Sequence, residues 1–299
     1  MTNRPLISIV INCFNGEKYL KKAINSVICQ TYDNWEIVFW DNMSTDNSLE
    51  IVNSFKDERI KYFRSASHTQ LGEARNLAIS KCRGQWIGFL DSDDMWHCEK
   101  LTFYLESLSK YSYVSNVSLI YSRTYIVDKL DHVISGNNYV STGYIHNKLL
   151  KKGNFIVFSS VLIHEKALKM AGNISESLNF CEDYELLLKI TNNHFSIGID
   201  KYLTYYRVHS DSITTRKKYD NSVEYIDFLI EYTKNKSLKL NTIFYLKVNI
   251  TYAVFILIIK QILEFKYINF IRILLKYFPY LILSIFIFPL LVIKKITRP

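Results

Sequence analysis

The chain has 299 residues, 48% hydrophobic and 15% aromatic, with only 9 Gly and 4 Pro, which excludes a disordered or fibrous protein and allows one sizeable domain with an appendage. The net charge of +9 is uneven: residues 201–299 hold 16 Lys and Arg against 6 Asp and Glu, while residues 1–200 hold 21 against 22. The basic excess is interleaved with long apolar runs, which argues against nucleic acid as a partner and for an anionic membrane surface.

Ile7–Cys13 is a short apolar run rich in β-branched residues and reads as a buried strand, broken by Asn15 and Gly16. Tyr19, Leu20, Ala23, Ile24, Val27 and Ile28 then recur at helical spacing within residues 17–30. Trp35–Trp40 is a second strand that ends in the polar turn Asp41–Asp46, and Ser48–Phe55 a second helix. Ile60–Phe63 is a third strand, Gly72–Lys81 a third helix, and Trp86–Leu90 a fourth strand running into Asp91-Ser92-Asp93-Asp94. Strand alternating with helix predicts an α/β fold, a mostly parallel sheet flanked by helices. Ligands in such sheets gather beyond the carboxyl ends of the strands, where Asn12–Gly16, Asp41–Asp46 and Asp91–Asp94 all fall. Farther on, Leu119–Val127 and Phe155–Ile163 read as strands and Tyr184–Ile190 as a helix, and residues 221–293 are helical in pattern and increasingly apolar. We therefore expect a catalytic domain over 1–220 and a helical, membrane-associating region over 221–299.

Asp91, Asp93 and Asp94 place three carboxylates within four residues, a repulsion that a cation relieves. Oxygen ligands on a tight turn suit Mg²⁺ or Mn²⁺, either of which also binds a diphosphate. Asp41 is placed either to accept hydrogen bonds from a base or ribose or to hold its own turn and cap the helix after it. Glu182 and Asp183 precede a helix, where the dipole favours acids. Arg75 suits a phosphate contact or a surface ion pair, and His209 a metal ligand or an ordinary lone histidine.

Six ordered segments change this weighing. They are Ser8-Ile-Val-Ile-Asn-Cys-Phe-Asn-Gly-Glu-Lys-Tyr-Leu20, Glu36-Ile-Val-Phe-Trp-Asp-Asn-Met-Ser-Thr-Asp46, Gly72-Glu-Ala-Arg-Asn76, Gly84-Gln-Trp-Ile-Gly-Phe-Leu-Asp-Ser-Asp-Asp-Met-Trp96, Cys181-Glu-Asp-Tyr-Glu-Leu186 and Tyr206-Arg-Val-His209. In order and spacing the set resembles family 2 glycosyltransferases of the GT-A fold, the inverting enzymes of bacterial surface-polysaccharide synthesis. Departures are Asn12-Cys13 where Pro-Thr is common, Phe14 for Tyr, Asn42-Met43 for Asp-Gly, His97-Cys98 where Pro often follows, and Gly172-Asn-Ile174 for Gly-Gly-Phe. None removes a carboxylate.

The resemblance implies that Asn12, Phe14 and Asp41 hold the nucleoside and that Arg75 lies near the diphosphate. It makes Asp91-Ser92-Asp93 the DxD element that contacts the donor, with Asp93 the main ligand of Mn²⁺ or Mg²⁺, Asp91 assisting it, His209 a further ligand and Asp183 the catalytic base. The implied donor is a nucleotide sugar, a UDP-sugar first, and the implied acceptor a lipid-linked saccharide.

Five scattered cysteines (Cys13, Cys29, Cys82, Cys98, Cys181) without CxxC spacing read as reduced, and no signal-peptide pattern precedes the first strand. Residues 277–293 carry no charge and are followed by Lys294, Lys295 and Arg298, while 242–263 are apolar apart from Lys247 and Lys260 and a few neutral polar residues. A monotopic anchor, a two-span hairpin and a buried helix compete, the first placing the protein at the cytoplasmic face of the membrane with its aromatics at the interface. Two rival functions are a sugar-nucleotidyltransferase, which would want a Gly-rich basic loop after the first strand, and a non-catalytic sugar-nucleotide or polysaccharide-binding protein.

Overall fold

Trp35–Asp41 is buried at every position and Ile7–Cys13 at all but one, as strands covered on both faces must be. The computed structural model describes residues 4–282 apart from 138, 213–214, 216–217, 235–237, 239, 265 and 267–268. Its strands are β1 (Ile7–Cys13), β2 (Trp35–Asp41), β3 (Ile60–Arg64), β4 (Trp86–Phe89), β5 (Met95–Trp96), β6 (Val117–Val127), β7 (Val133–Gly136), β8 (Leu162–His164) and β9 (Phe195–Arg207). They form one sheet ordered β3-β2-β1-β4-β8-β6-β9-β5, with β7 on β6. The half β3-β2-β1-β4 is parallel, as expected from the alternation, and β9 also runs parallel to β6; β8, β5 and β7 are antiparallel to their neighbours.

The helices in this part of the chain are α1 (Glu17–Ile28), α2 (Ser48–Ser54), α3 (Leu71–Ile79), α4 (Lys100–Lys110), α5 (His146–Lys152), α6 (Glu165–Ala171) and α7 (Glu182–Thr191). Register pairs Cys13 with Asp41 and Asp41 with Arg64, so three strands end level and their loops share one rim.

The single strand expected over Phe155–Ile163 does not form. Phe158–Ser160 is a 3₁₀ turn and only Leu162–His164 pairs. The turn brings the Ser159 hydroxyl to the Asp91 amide (3.2 Å) and the Ser159 carbonyl to Trp96 Nε1 (2.7 Å) and Lys100 Nζ (3.1 Å), contacts that straight pairing would forfeit.

The chain divides into two compact units, Met1–His146 with Asn154–Thr215, and Asn147–Gly153 with Arg216–Pro299. Within the second, helices span Lys218–Thr233, Leu240–Leu263 and residues 269–282. Asn249 Nδ2 donates to the carbonyls of Leu150 and Lys151 (3.0 and 3.2 Å), which ties the α5 segment to the Leu240–Leu263 helix. Among the described residues one helix, Thr242–Leu263, is long and apolar enough to cross a membrane, with a mean hydropathy of 1.9. Leu246, Ile250, Val254 and Leu257 form its buried face, whereas Phe244, Tyr252, Phe255, Ile259 and Ile262 are exposed. Tyr277, expected at an interface, is instead buried and donates to Asp227 (3.0 Å). The apolar run beyond it, residues 283–293, lies outside the described residues.

Candidate active site

Two adjoining rim loops are knit by reciprocal hydrogen bonds. The Glu17 amide donates to Asp46 (2.9 Å), while Glu17 Oε2 accepts from the amide and side chain of Asn47 (2.9 and 2.6 Å). Asn15, at φ 56, accepts from the Thr45 amide (2.8 Å), and the Asn15 amide donates to the Ser44 hydroxyl (3.0 Å). The start of α1 and the start of α2 are thus each capped by the other's loop, which satisfies amides that a helix leaves open.

Asp41 is fully buried. Its Oδ1 accepts from the Ser44 amide (2.7 Å), and its Oδ2 from the Tyr62 hydroxyl (2.6 Å) and Arg64 Nη1 (2.9 Å). It holds its own turn and carries an ion pair whose other member, Arg64, is half-exposed. Asn12, on β1 opposite Trp40, keeps a buried Nδ2 that has no partner among the described residues. Phe14 is half-exposed, and its ring centre lies 4.2 Å from that of His68. His68 is fixed by Nδ1 against the Asn42 carbonyl (3.0 Å), and the Asn42 side chain clamps Thr69. His68, Tyr62 and Arg64 were not singled out from the sequence. No local pattern marks them, because they meet Asp41 and Phe14 only once β3 pairs with β2.

The turn after β4 is the acidic centre. Asp91 Oδ1 accepts from Arg75 Nη2 (3.0 Å), and Asp93 Oδ2 lies 2.9 Å from His209 Nε2. Asp94 is buried; its Oδ1 accepts from the Arg207 amide (2.8 Å) and its Oδ2 has no partner among the described residues. The Ser92 hydroxyl packs against Gly16, where an added Cβ would approach it to 3.1 Å, so the first rim loop abuts the acidic turn. Arg207 Nε donates to the Asp93 carbonyl (2.8 Å) and its guanidinium lies over the Tyr19 ring (4.4 Å), which fixes the end of β9, and with it His209, beside Asp93.

Arg75 does not form the surface ion pair that the sequence also allowed. It is buried, stacks on Phe158 (4.6 Å) and bridges Asp91 to Glu182 Oε1 (2.7 Å). This clamp joins α3, the acidic turn and the start of α7, and so carries Asp183 to the acidic centre. Burial, with the neighbouring Glu182 carboxylate, pushes the Asp183 carboxyl up to about 7 against the opposing pull of Arg75. A carboxyl poised there is balanced between holding and releasing a proton at neutral pH.

Asp93 and His209 offer an oxygen and a nitrogen ligand side by side, and among the described residues no group of three or more His, Cys, Asp or Glu converges as a complete metal cage. That donor set fits a cation that takes one or two protein ligands and completes its shell from a substrate diphosphate, as Mg²⁺ does.

Glycosyl transferase family 2 is the family whose model matches this chain, over residues 8–170. The chain is 32% identical over 213 residues to the Escherichia coli UDP-Glc:alpha-D-GlcNAc-diphosphoundecaprenol beta-1,3-glucosyltransferase WfaP, covering 71% of this chain and 81% of that one. In fold it is similar to S. aureus TarS solved with UDP-GlcNAc (TM-score 0.63, 18% identity, 83% of this chain and 71% of that one). It is equally similar to the mannosyltransferase PcManGT of Pyrobaculum calidifontis solved with GDP-Man and Mn²⁺ (TM-score 0.64, 13% identity, 93% and 83%).

Proposed function

The chain belongs to glycosyl transferase family 2, and from that premise we propose that it moves one sugar from a UDP-sugar to a hydroxyl of a lipid-linked saccharide, with inversion and with Mn²⁺ or Mg²⁺. The observation that carries the proposal is the Asp183 carboxyl, held near neutrality at the end of the Asp91–Arg75–Glu182 clamp. Phe14 and His68 offer an aromatic platform for the base, and the unpartnered Asn12 Nδ2 a donor beside it. Asp41 reads the base in this scheme by exchanging Arg64, the half-exposed member of its ion pair, for the base. Asp93 and His209 would hold the metal, with Asp91 and Ser92 shaping the turn; when bound, the ion neutralises charge on the departing diphosphate.

Asp183 then takes the proton of the acceptor hydroxyl. The acceptor oxygen bonds to the anomeric carbon as the bond from that carbon to the diphosphate breaks, and UDP leaves with the bonding pair. One displacement inverts the anomeric configuration and needs no covalent nucleophile, in keeping with the absence of a Ser-His-Asp or Cys-His motif in the sequence. The acceptor class is supported by WfaP, whose name specifies a diphosphoundecaprenol-linked substrate, and the metal by the Mn²⁺ in PcManGT. We assign catalysis to residues 1–220 and attachment to the cytoplasmic face of the membrane to 221–299, where the exposed apolar face of helix Leu240–Leu263 supports it.

A screen of nucleotide sugars for metal-dependent hydrolysis tests this reading. UDP release from one UDP-sugar, abolished by chelator and accelerated by a diphosphoprenol-linked saccharide, is the expected result. Retained anomeric configuration in the product would overturn the single displacement.

A further inference from the structure

Three buried basic residues stand behind the acidic turn. Arg75 meets Asp91 (3.0 Å), and Arg207 grips the turn through the Asp93 carbonyl and the Asp94 side chain. The third is Lys100, at the start of α4 and fully buried. Its Nζ donates to the Ser159 carbonyl (3.1 Å) and to Thr204 Oγ1 (2.7 Å), and lies over Trp96 (4.3 Å) and Tyr104 (5.1 Å). Ser159 is the relay, because its hydroxyl accepts from the Asp91 amide (3.2 Å) while its carbonyl accepts from Lys100.

Burying an ammonium is costly, and a neutral side chain of the same length would fill this space more cheaply. Burial pushes the Lys100 ammonium well below its ordinary range, and Asp94 is the charge that opposes the shift.

We propose that Lys100 is a positioning residue for sugar transfer: by fixing Ser159, whose hydroxyl accepts from the Asp91 amide, it holds the Asp91–Asp94 turn in the form that presents Asp93 beside His209. The assignment rests on the transferase reading above. It divides the labour of the turn. Asp91 is paired with Arg75 and Asp94 is buried against the Arg207 amide, so Asp93, beside His209, is the carboxylate left for the donor. Lys100 itself touches neither donor nor acceptor.

The test compares Lys100→Met and the charge-balanced double variant Asp94→Asn/Lys100→Met with the wild-type chain. Mn²⁺ binding in the presence of UDP is followed by paramagnetic resonance, with melting temperature and the pH profile of kcat beside it. Lys100→Met should bind Mn²⁺ about tenfold or more weakly, while the pH limb set by Asp183 stays in place. The double variant should regain melting temperature but not Mn²⁺ affinity, which separates positioning from stability and holds even where Lys100→Met alone folds poorly. Wild-type Mn²⁺ affinity in either variant, or recovery of affinity in step with stability, overturns the proposal. A wild-type chain that binds no Mn²⁺ overturns the metal reading instead. The same variants are then judged on UDP affinity, where equality with wild type overturns the role of Lys100.

Discussion

Asp183 makes the sharpest residue-scale predictions. A general base must be ionised, so kcat should climb with pH through about 7 and level off above it. Asp183→Asn should bind UDP normally yet lose roughly 10²–10⁴ in kcat, the usual contribution of base catalysis; a near-normal kcat would move the role to Glu182. Its stability has the opposite sign. Because the folded carboxyl titrates above its ordinary 3.8, the native state holds the proton more tightly than the unfolded chain, and Asp183 progressively opposes folding as pH rises from 3.8 to about 7. At pH 8 Asp183→Asn should therefore melt no lower than wild type, while at pH 4 the advantage vanishes; calorimetry at both values checks this. Asp93→Asn should keep its fold and lose metal-stimulated turnover, and full activity in excess chelator would exclude the metal. Asp91, Asp93 and Asp94 stood out in the sequence because carboxylates after an apolar strand are chemically conspicuous, whereas Asp183 and His209 stood out only through the family resemblance. Lys100, Ser159 and His68 were not, because a lone Lys, Ser or His gains its meaning only from what the fold brings against it.

At the scale of elements, the parallel half of the sheet was legible because each strand is a short apolar run and each helix a 3.6-residue pattern, with polar turns between them. The second half was legible only in part: the strand expected over Leu119–Val127 and the helix over Tyr184–Ile190 are β6 and α7, but β9 was not read. β9 runs for 13 residues with no regular alternation of buried and exposed positions, and its register against β6 shifts three times, so no period-two signal marks it. The loop that follows α6 is equally silent in sequence, although it packs hard on α3. Asn76 mimics backbone, donating to the Ile174 carbonyl and accepting from the Ile174 amide, both at 2.9 Å, and a Cβ on Gly72 would stand 2.0 Å from the Ser175 carbonyl. Asn76→Ala should cost about 1–3 kcal/mol by stranding the Ile174 groups. Gly72→Ala should cost a similar ~1–3 kcal/mol by overpacking, and should also lower kcat, since α3 carries Arg75. Urea unfolding beside kinetics reads both effects. Loss of stability without loss of rate would show that the clamp tolerates a shifted helix.

At the scale of the molecule, the question is what the two apolar faces of helix Leu240–Leu263 are for. One face is buried within the protein and needs no further partner. The other exposes Phe244, Tyr252, Phe255, Ile259 and Ile262 along a single stripe, in a third of the chain that carries the whole basic excess. An apolar stripe with lysines suits a bilayer of anionic lipid, each nearby Lys or Arg adding about 1 kcal/mol and each buried large apolar side chain roughly 1.5–3 kcal/mol. The full-length chain should therefore sediment with vesicles containing phosphatidylglycerol, and less with zwitterionic ones. Raising salt from 0.05 to 1 M should loosen binding without abolishing it, because screening removes the charge contribution and leaves the apolar one. Tyr252→Asp and Ile262→Asp alter exposed positions, so the fold and the hydrolysis of soluble donor should survive while vesicle affinity drops about tenfold or more for each. Rates on a lipid-linked acceptor in vesicles should fall with affinity, and rates on a detached water-soluble acceptor should not. If the two variants bind vesicles as the wild type does, the exposed stripe is not the membrane contact, and the attraction belongs to the basic residues alone.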